Sequence, residues 1–306
     1  MNYRPEGCIY DSHKNQRYIS SQEGLSEAMN SGIILEARVK LCTSSHDLIV
    51  DLPCARGIIP REEGAIGVKE GNTRDIALIS RVNRIVCFKV TELVLGNNDE
   101  LTAILSRREA QLECTRNYIS TLSAGEIIEA RVTHLEKFGS FVDIGCGIPS
   151  LIPIDALSVS RISHPSDRFT TGQLIKAVVT GSENGRIFLS HKELLGTWEE
   201  NAACFGSGET VPGIVRSIED YGIFVELTPN LAGLAEPREG IKAGQSVSAY
   251  IKAILPDKMK IKLIIVDVCC QHSEPMPFRY FKDSGKLDVW RYSTESSGKD
   301  IKTVFT

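Results

Sequence analysis

The stretch His134–Gly145, HLEKFGSFVDIG, places two phenylalanines three residues apart around a glycine. Successive side chains of a strand point to opposite faces, so Val142 would face a core while Phe141 faces outward. Glycine tolerates torsions that other residues resist, and a bulge or sharp bend at Gly139 would turn Phe138 to the same outer face. The stretch therefore predicts two exposed rings on one face.

The pattern occurs again later in the chain. Gly125 is followed by Phe138 to Val142 (FGSFV) and by Leu151, and Gly208 is followed at the same offsets by Tyr221 to Val225 (YGIFV) and by Leu234. A degenerate copy comes first, because residues 32–39 (GIILEARV) share the string EARV with residues 125–132. Three tandem repeats are the economical interpretation. Asp143 and Glu226 share the outward direction of the rings.

Each copy contains about five short alternating segments in roughly 70 residues, a size that fits the five-stranded OB barrel. Closure into a barrel also removes exposed sheet edges. The predicted fold class is all-β, with tandem five-stranded OB-fold barrels joined by short helices.

The segments between the repeats contain helix-capping motifs. Ser106 and Ser190 each begin a Ser-x-x-Glu sequence, which predicts a serine N-cap before each connecting helix. The predicted boundaries are a flexible N-terminal segment with a lead-in helix (1–31), a degenerate repeat (32–106), a connecting helix (107–124), a second repeat (125–191), a second connecting helix (192–207), a third repeat (208–268), and a C-terminal aromatic hairpin with a tail (269–306).

The C-terminal segment is rich in aromatic residues. Residues 278–292 predict a hairpin that turns at Asp283-Ser-Gly285. Packing of this hairpin on the third barrel is the preferred interpretation, and an RNA platform is the alternative.

Composition limits the function classes. A net charge of -4 and a pI near 5.9 argue against a protein that coats nucleic acid by bulk positive charge. The nine cysteines lack the paired Cys/His spacing of a zinc site, so we expect reduced structural thiols, no metal and no cofactor. Cys269, Cys270 and His272 lie close together in the sequence, but adjacent cysteines are poorly placed to coordinate a metal tetrahedrally. The N-terminus has no apolar signal-peptide core and no apolar run reaches membrane-spanning length, so the cytoplasm is expected.

Exposed rings beside basic side chains form a platform on which bases stack while phosphates follow the charges. The alternative, that one ring of each pair is core, would be preferred for a single FxxF sequence, but repetition at fixed offsets favours function. The predicted RNA-binding residues are Phe138, Phe141, Arg186, His134 and Lys137 in the second copy and Tyr221, Phe224 and Lys260 in the third.

These motifs resemble the RNA-binding repeat of the small-subunit ribosomal protein S-one family. The second copy matches the aromatic-Gly-x-Phe-Val strand and the closing Arg-Ile-x-Leu-Ser at residues 186–190, and the third copy closes more loosely with residues 260–263 (KIKL). The resemblance covers about residues 32–268. It implies OB barrels and binding of single-stranded messenger RNA in translation at the small ribosomal subunit, by a ribosome-associated protein expected to be a monomer.

Some positions depart from the family pattern. Pro153 and Glu236 stand where the family often has a histidine, and Ser182 replaces an aspartate, so the RNA face is reduced. In the first copy the aromatic pair falls on His46 and Ile49, so that repeat is expected to dock a protein, such as one of the small subunit, or to act as a spacer.

Catalysis has little support, because the six histidines are dispersed and neither a nucleophile turn nor a glycine-rich phosphate loop is present. The expected protein is not an enzyme. A protein-interaction adaptor built of OB repeats, with incidental RNA binding, is the rival from another class. The third hypothesis is an enzyme with an unrecognised active site.

Overall fold

The computed structural model describes residues 3–96, 100–271 and 275–306, and the predicted Cys/His group therefore lies partly outside the described residues at His272. In the described chain the strands form three closed five-stranded barrels, in the orders β1-β2-β3-β5-β4, β10-β8-β7-β6-β9 and β11-β12-β13-β15-β14. The predicted all-β fold of tandem OB-like barrels is confirmed.

The bounds of the barrel strands follow the three repeats. The first barrel contains β1 (Leu35–Cys42), β2 (Leu48–Leu52), β3 (Ala55–Ile59), β4 (Ile85–Leu95) and β5 (Leu101–Ser106). The second contains β6 (Ile127–Glu136), β7 (Gly139–Asp143), β8 (Pro149–Pro153), β9 (Leu174–Glu183) and β10 (Arg186–Ser190). The third contains β11 (Thr210–Glu219), β12 (Gly222–Thr228), β13 (Leu231–Ala235), β14 (Gln245–Leu255) and β15 (Lys260–Gln271).

The chain divides into two compact units. The first contains residues 1–122 together with Asp143–Pro149, and the second contains residues 123–142 and 150–306. The second and third barrels therefore lie almost entirely in one unit.

The N-terminal segment is folded rather than flexible. It forms helices α1 (His13–Ile19) and α2 (Gln22–Ser31), whose N-caps Ser12 and Ser21 each accept a hydrogen bond from the first turn. Ile19 is buried in the hydrophobic core of the first barrel. The sequence prediction of a flexible start is wrong for helix α1, because its apolar side chains complete that core, whereas the predicted lead-in helix corresponds to α2.

The first connecting helix agrees with its predicted cap. This helix is α4 (Arg107–Asn117), and the hydroxyl of its N-cap Ser106 accepts a hydrogen bond from the Glu109 N–H at 2.9 Å. A 3-10 turn, Ile119–Thr121, continues it. A shorter helix, α3 (Ile76–Ile79), lies earlier in the chain, between β3 and β4.

The second connection differs from the prediction. Ser190 does not cap a helix, because its hydroxyl donates to the carbonyl of Ala156 at 3.2 Å. A 3-10 turn (Lys192–Leu195) comes first, and helix α5 (Trp198–Ala202) begins later with a capping box between Thr197 and Glu200. The left-handed φ of 83° at Gly196 separates the two.

The predicted hairpin at residues 278–292 is wrong in its position. The strands that pair are β16 (Val289–Arg291) and β17 (Lys302–Val304), further along the chain. Trp290 is buried in the cluster that includes the third-barrel core, and Tyr280 contacts His191 at a ring-centroid distance of 5.5 Å. Trp290 packs as in the preferred interpretation, whereas Tyr280 packs on the second barrel, where its hydroxyl also accepts a hydrogen bond from the Lys176 N–H at 2.9 Å.

Candidate nucleic-acid interface

The turn between β6 and β7 presents the first aromatic pair. Phe138 lies in the turn and is 55% exposed, and its ring meets the half-buried ring of Phe141 edge-on, with centroids 5.9 Å apart and planes at 88°. His134 lies on the other side of Phe141, with ring centroids 6.4 Å apart. The structure therefore brings three of the predicted residues into one continuous aromatic surface.

The third barrel repeats this geometry. Tyr221 lies in the turn between β11 and β12 and is 67% exposed, and its ring meets the half-buried Phe224 with centroids 6.2 Å apart and planes at 89°. Two independent sequences thus give almost the same edge-to-face pair, a favourable arrangement for aromatic rings.

A glycine makes each pair possible because the neighbouring strand approaches it closely. A Cβ atom on Gly139 would lie 2.5 Å from the carbonyl oxygen of Ile152, and one on Gly222 would lie 2.6 Å from that of Ala235. A side chain at either position would push the aromatic strand away from its neighbour. The tight contact lets the chain turn immediately before the strand, which places the preceding ring beside the next outward one.

The alternation predicted for these strands is correct for the core. Val142 and Val225 are completely buried inside their barrels, while Phe141 and Phe224 face outward. The outward phenylalanines are nevertheless only half-exposed, because the turn residue covers one edge of each ring.

The prediction that Asp143 is exposed is wrong. Its carboxylate accepts backbone hydrogen bonds from Gly145 at 2.8 Å, from Gly147 at 3.0 Å and from Glu6 at 2.6 Å. Burial raises the pKa of this carboxyl to about 7. Asp143 organises the turn that follows β7 and is not available to RNA.

Glu226 is also buried, contrary to its predicted exposure. Arg168, from the loop before β9, donates two hydrogen bonds to it at 2.9 and 2.6 Å, and Arg216 donates from β11 at 2.8 Å. This cluster, in which Arg168 and Glu226 are completely buried, connects the second and third barrels within one unit. The strand parity is correct, but a loop from the preceding barrel covers the outer face at this point.

The predicted cations lie on strands beside the rings. Arg186 begins β10 and Lys260 begins β15, and both are exposed. In the third barrel, Phe224 pairs with Leu234 and Leu234 pairs with Lys262, so the ring and a cation lie in one row across three strands. Lys137 is exposed in the turn beside Phe138.

One aromatic residue of the face was missed from the sequence. Phe188 pairs with Leu151 across β10 and β8, at the position that Lys262 occupies in the third barrel, and it is 45% exposed. The signal was present, because Ile187 and Leu189 on either side point into the barrel.

Acidic residues also border the second face. His134 Nε2 lies 2.7 Å from a carboxylate oxygen of Glu136, and Arg186 is paired across the hairpin with Glu183. The face is therefore only mildly basic, and stacking on its rings rather than charge would contribute most to binding of RNA.

The first barrel has aliphatic residues where the others have rings. Leu41 pairs with Ile49, Ile49 with Ile58 and Ile58 with Ile104, forming a row across four strands. Leu41 is exposed and the other three are half-buried. His46 is displaced from this row, with Nδ1 3.9 Å from an oxygen of Asp75.

The described residues contain no group of three or more His, Cys, Asp or Glu side chains able to hold a metal ion. Among the described helices, none has both the length and the apolar character required to cross a membrane.

Comparison with known proteins identifies the second repeat. Residues 121–192 match the family model described as S1 RNA binding domain. The chain is similar to the small ribosomal subunit protein bS1 of Leuconostoc lactis, with 32% identity over 71% of this chain and 52% of that protein. It is also similar to the bS1 homolog of Bacillus cereus, with 28% identity over 92% of this chain and 75% of that protein. The chain thus spans about half the length of the first relative, and the resemblance inferred from the sequence is confirmed.

Proposed function

The chain belongs to the family of the bacterial small ribosomal subunit protein bS1, and we propose that it binds single-stranded messenger RNA in translation. It works in the cytoplasm, at the small ribosomal subunit, as a monomer and without catalysis. The second and third barrels carry the RNA face, formed by Phe138, Phe141, Tyr221 and Phe224 with the cations beside them.

The observation that carries this proposal is the repeated ring pair. Phe138 with Phe141 and Tyr221 with Phe224 have centroid distances within 5.9 to 6.2 Å and nearly perpendicular planes, in two barrels of different sequence. More than half of each turn ring is exposed. Exposed aromatic rings are unfavourable in water unless they have a partner, and unpaired bases stack on such rings for about 1 to 3 kcal/mol each.

The first barrel has a different role in this proposal. Its row from Leu41 to Ile104 offers apolar contact but no ring on which a base could stack. Such a surface suits a protein better than RNA. We therefore assign docking to a protein of the small subunit to the first barrel.

The test compares single-stranded RNA with duplex RNA of the same sequence. Bases in a duplex are stacked on each other and cannot reach the rings, so the single strand should bind at least about tenfold more tightly. A fluorescence anisotropy titration of the full chain measures both. Equal affinity for the two RNAs would show that binding is only electrostatic, and weak binding of both would favour the adaptor.

The same titration repeated across salt concentrations counts the phosphate contacts. Each contact to a single strand contributes about -0.7 to the slope of log affinity against log salt. The exposed cations near the rings are few, namely Lys137, Arg161, Arg186, Lys258, Lys260, Lys262 and Lys299. A slope shallower than about -5 is therefore expected.

A further inference from the structure

A cleft beside the third aromatic pair has a second wall that lies outside the third repeat. Tyr221 and Phe224 form one side, and the opposite lining includes Arg161, Lys299 and Ile301. The cleft has a volume of about 570 Å³, within the range of about 300 to 1,000 Å³ that is usual for small-ligand sites. All of these residues belong to the second unit.

The loop that carries Arg161 is fixed to the third barrel. The N–H of Val159 donates to the side-chain oxygen of Asn230 at 3.0 Å, and the N–H of Ser160 donates to the carbonyl of Pro229 at 3.0 Å. Asn230 is itself completely buried. Arg161 follows directly, so its backbone is held beside the cleft.

The C-terminal segment that carries Lys299 is fixed in the same way. The hydroxyl of Tyr292 donates to the carbonyl of Asn230 at 2.5 Å, and that of Thr294 donates to the carbonyl of Pro256 at 3.1 Å. The Ile301 N–H donates to the hydroxyl of Ser293 at 3.0 Å, which closes the loop around Lys299. The wall is therefore formed before any ligand binds.

The charges of the cleft favour an anion. Arg161 and Lys299 are exposed, and neither forms an ion pair with any residue that the structure describes. The third cation of the lining, Arg216, is neutralised by Glu226 and Asp167. Glu219 is the acidic residue of the lining, so the unpaired cations exceed it in number.

We infer that this cleft binds one nucleotide of single-stranded RNA, with the base against Tyr221 and the phosphate held by Arg161 and Lys299. The C-terminal segment is then part of the RNA site and not only a packing element. This inference rests on the proposed function, and it makes the third barrel a bounded nucleotide site while the second remains an open face.

The experiment uses the full chain and a labelled single-stranded RNA of about 12 nucleotides, a length within the 4 to 16 that one OB barrel covers. Each variant is made together with Phe138→Ala, which weakens the second face, and is titrated across salt concentrations. The variants are Arg161→Ala, Lys299→Ala and Tyr221→Ala. Lys302→Ala is the matched control, since it removes the same charge from the same segment but pairs with Asp300 and does not line the cleft.

Loss of one phosphate contact should weaken binding about fivefold at about 0.1 M salt and reduce the salt slope by about 0.7. We expect this for Arg161→Ala and for Lys299→Ala. Tyr221→Ala should weaken binding without changing the slope, and Lys302→Ala should change neither.

Two results would overturn the inference, and they can be distinguished. If Tyr221→Ala weakens binding while Arg161→Ala and Lys299→Ala behave like the Lys302→Ala control, the second wall has no role and the proposed function survives. If the unmodified chain does not bind the RNA, the proposed function fails together with the inference.

Discussion

Removing the two turn rings should separate RNA binding from folding. In a Phe138→Ala, Tyr221→Ala double variant, each lost stacking contact costs about 1 to 3 kcal/mol, which is about 5-fold to 150-fold in affinity per barrel. The folding cost should be small, because the rings are 55% and 67% exposed and each gives up mainly an edge contact with its neighbour. Such a contact is worth about 0.5 to 1.5 kcal/mol, and its loss opens no cavity.

Val142→Ala is the control for this experiment because it changes the same strand on the opposite face. Val142 is completely buried, so losing two methyl groups at about 0.8 kcal/mol each, together with the cavity, should cost about 2 kcal/mol of stability. RNA affinity of the folded variant should stay at the level of the unmodified chain. Thermal melts and anisotropy titrations measure both quantities. A double variant that binds RNA normally, or a Phe138→Ala single variant that unfolds as readily as Val142→Ala, would refute the reasoning.

The buried polar groups of the second unit give two further expectations. Glu226→Gln should lower the free energy of unfolding by about 3 kcal/mol or more in denaturant titrations, because it leaves Arg168 buried without its counter-ion. The control Glu236→Gln alters an exposed ion pair and should cost less than about 1 kcal/mol. Equal losses for the two variants would contradict this expectation. Burial lowers the pKa of His191 from 6.5 to about 4, so its contribution to stability is full above pH 6.5 and is lost as the pH falls toward 4. The stability advantage of the unmodified chain over His191→Gln should therefore shrink by about 2 kcal/mol between pH 7 and pH 5, and a constant difference would show that folding does not lower the pKa of His191.

The ring pairs could be predicted from the sequence because their geometry is local. A two-residue turn, a glycine and strand alternation are enough to place Phe138 beside Phe141, and the same spacing places Tyr221 beside Phe224. Repetition at fixed offsets also indicated three barrels without any knowledge of their contacts. Phe188 could have been found by the same alternation.

The burial of the two carboxylates could not be predicted, because it depends on residues distant in the chain. Asp143 is covered through the backbone of Glu6, and Glu226 through the guanidinium of Arg168. The alternation of a strand determines only toward which face of the sheet a side chain points. It does not determine whether a loop from elsewhere in the chain covers that face. Helix α1 was missed for the same reason, since Ile19 gains its burial only from a core assembled later in the chain.

The same limit explains why local sequence misjudges the difference between the two proposed RNA faces. At matching positions the second barrel has His134 and Lys137 where the third has Ser217 and Asp220, so the third turn is the less basic of the two. On local sequence alone, the third barrel would be the weaker RNA site. The unpaired cations that the structure adds beside Tyr221 come from the preceding barrel and from the C-terminal segment, and they offset that deficit. The Arg168–Glu226 ion pair joins the two barrels, so an RNA long enough to span both faces would bind with the combined strength of two modest contacts.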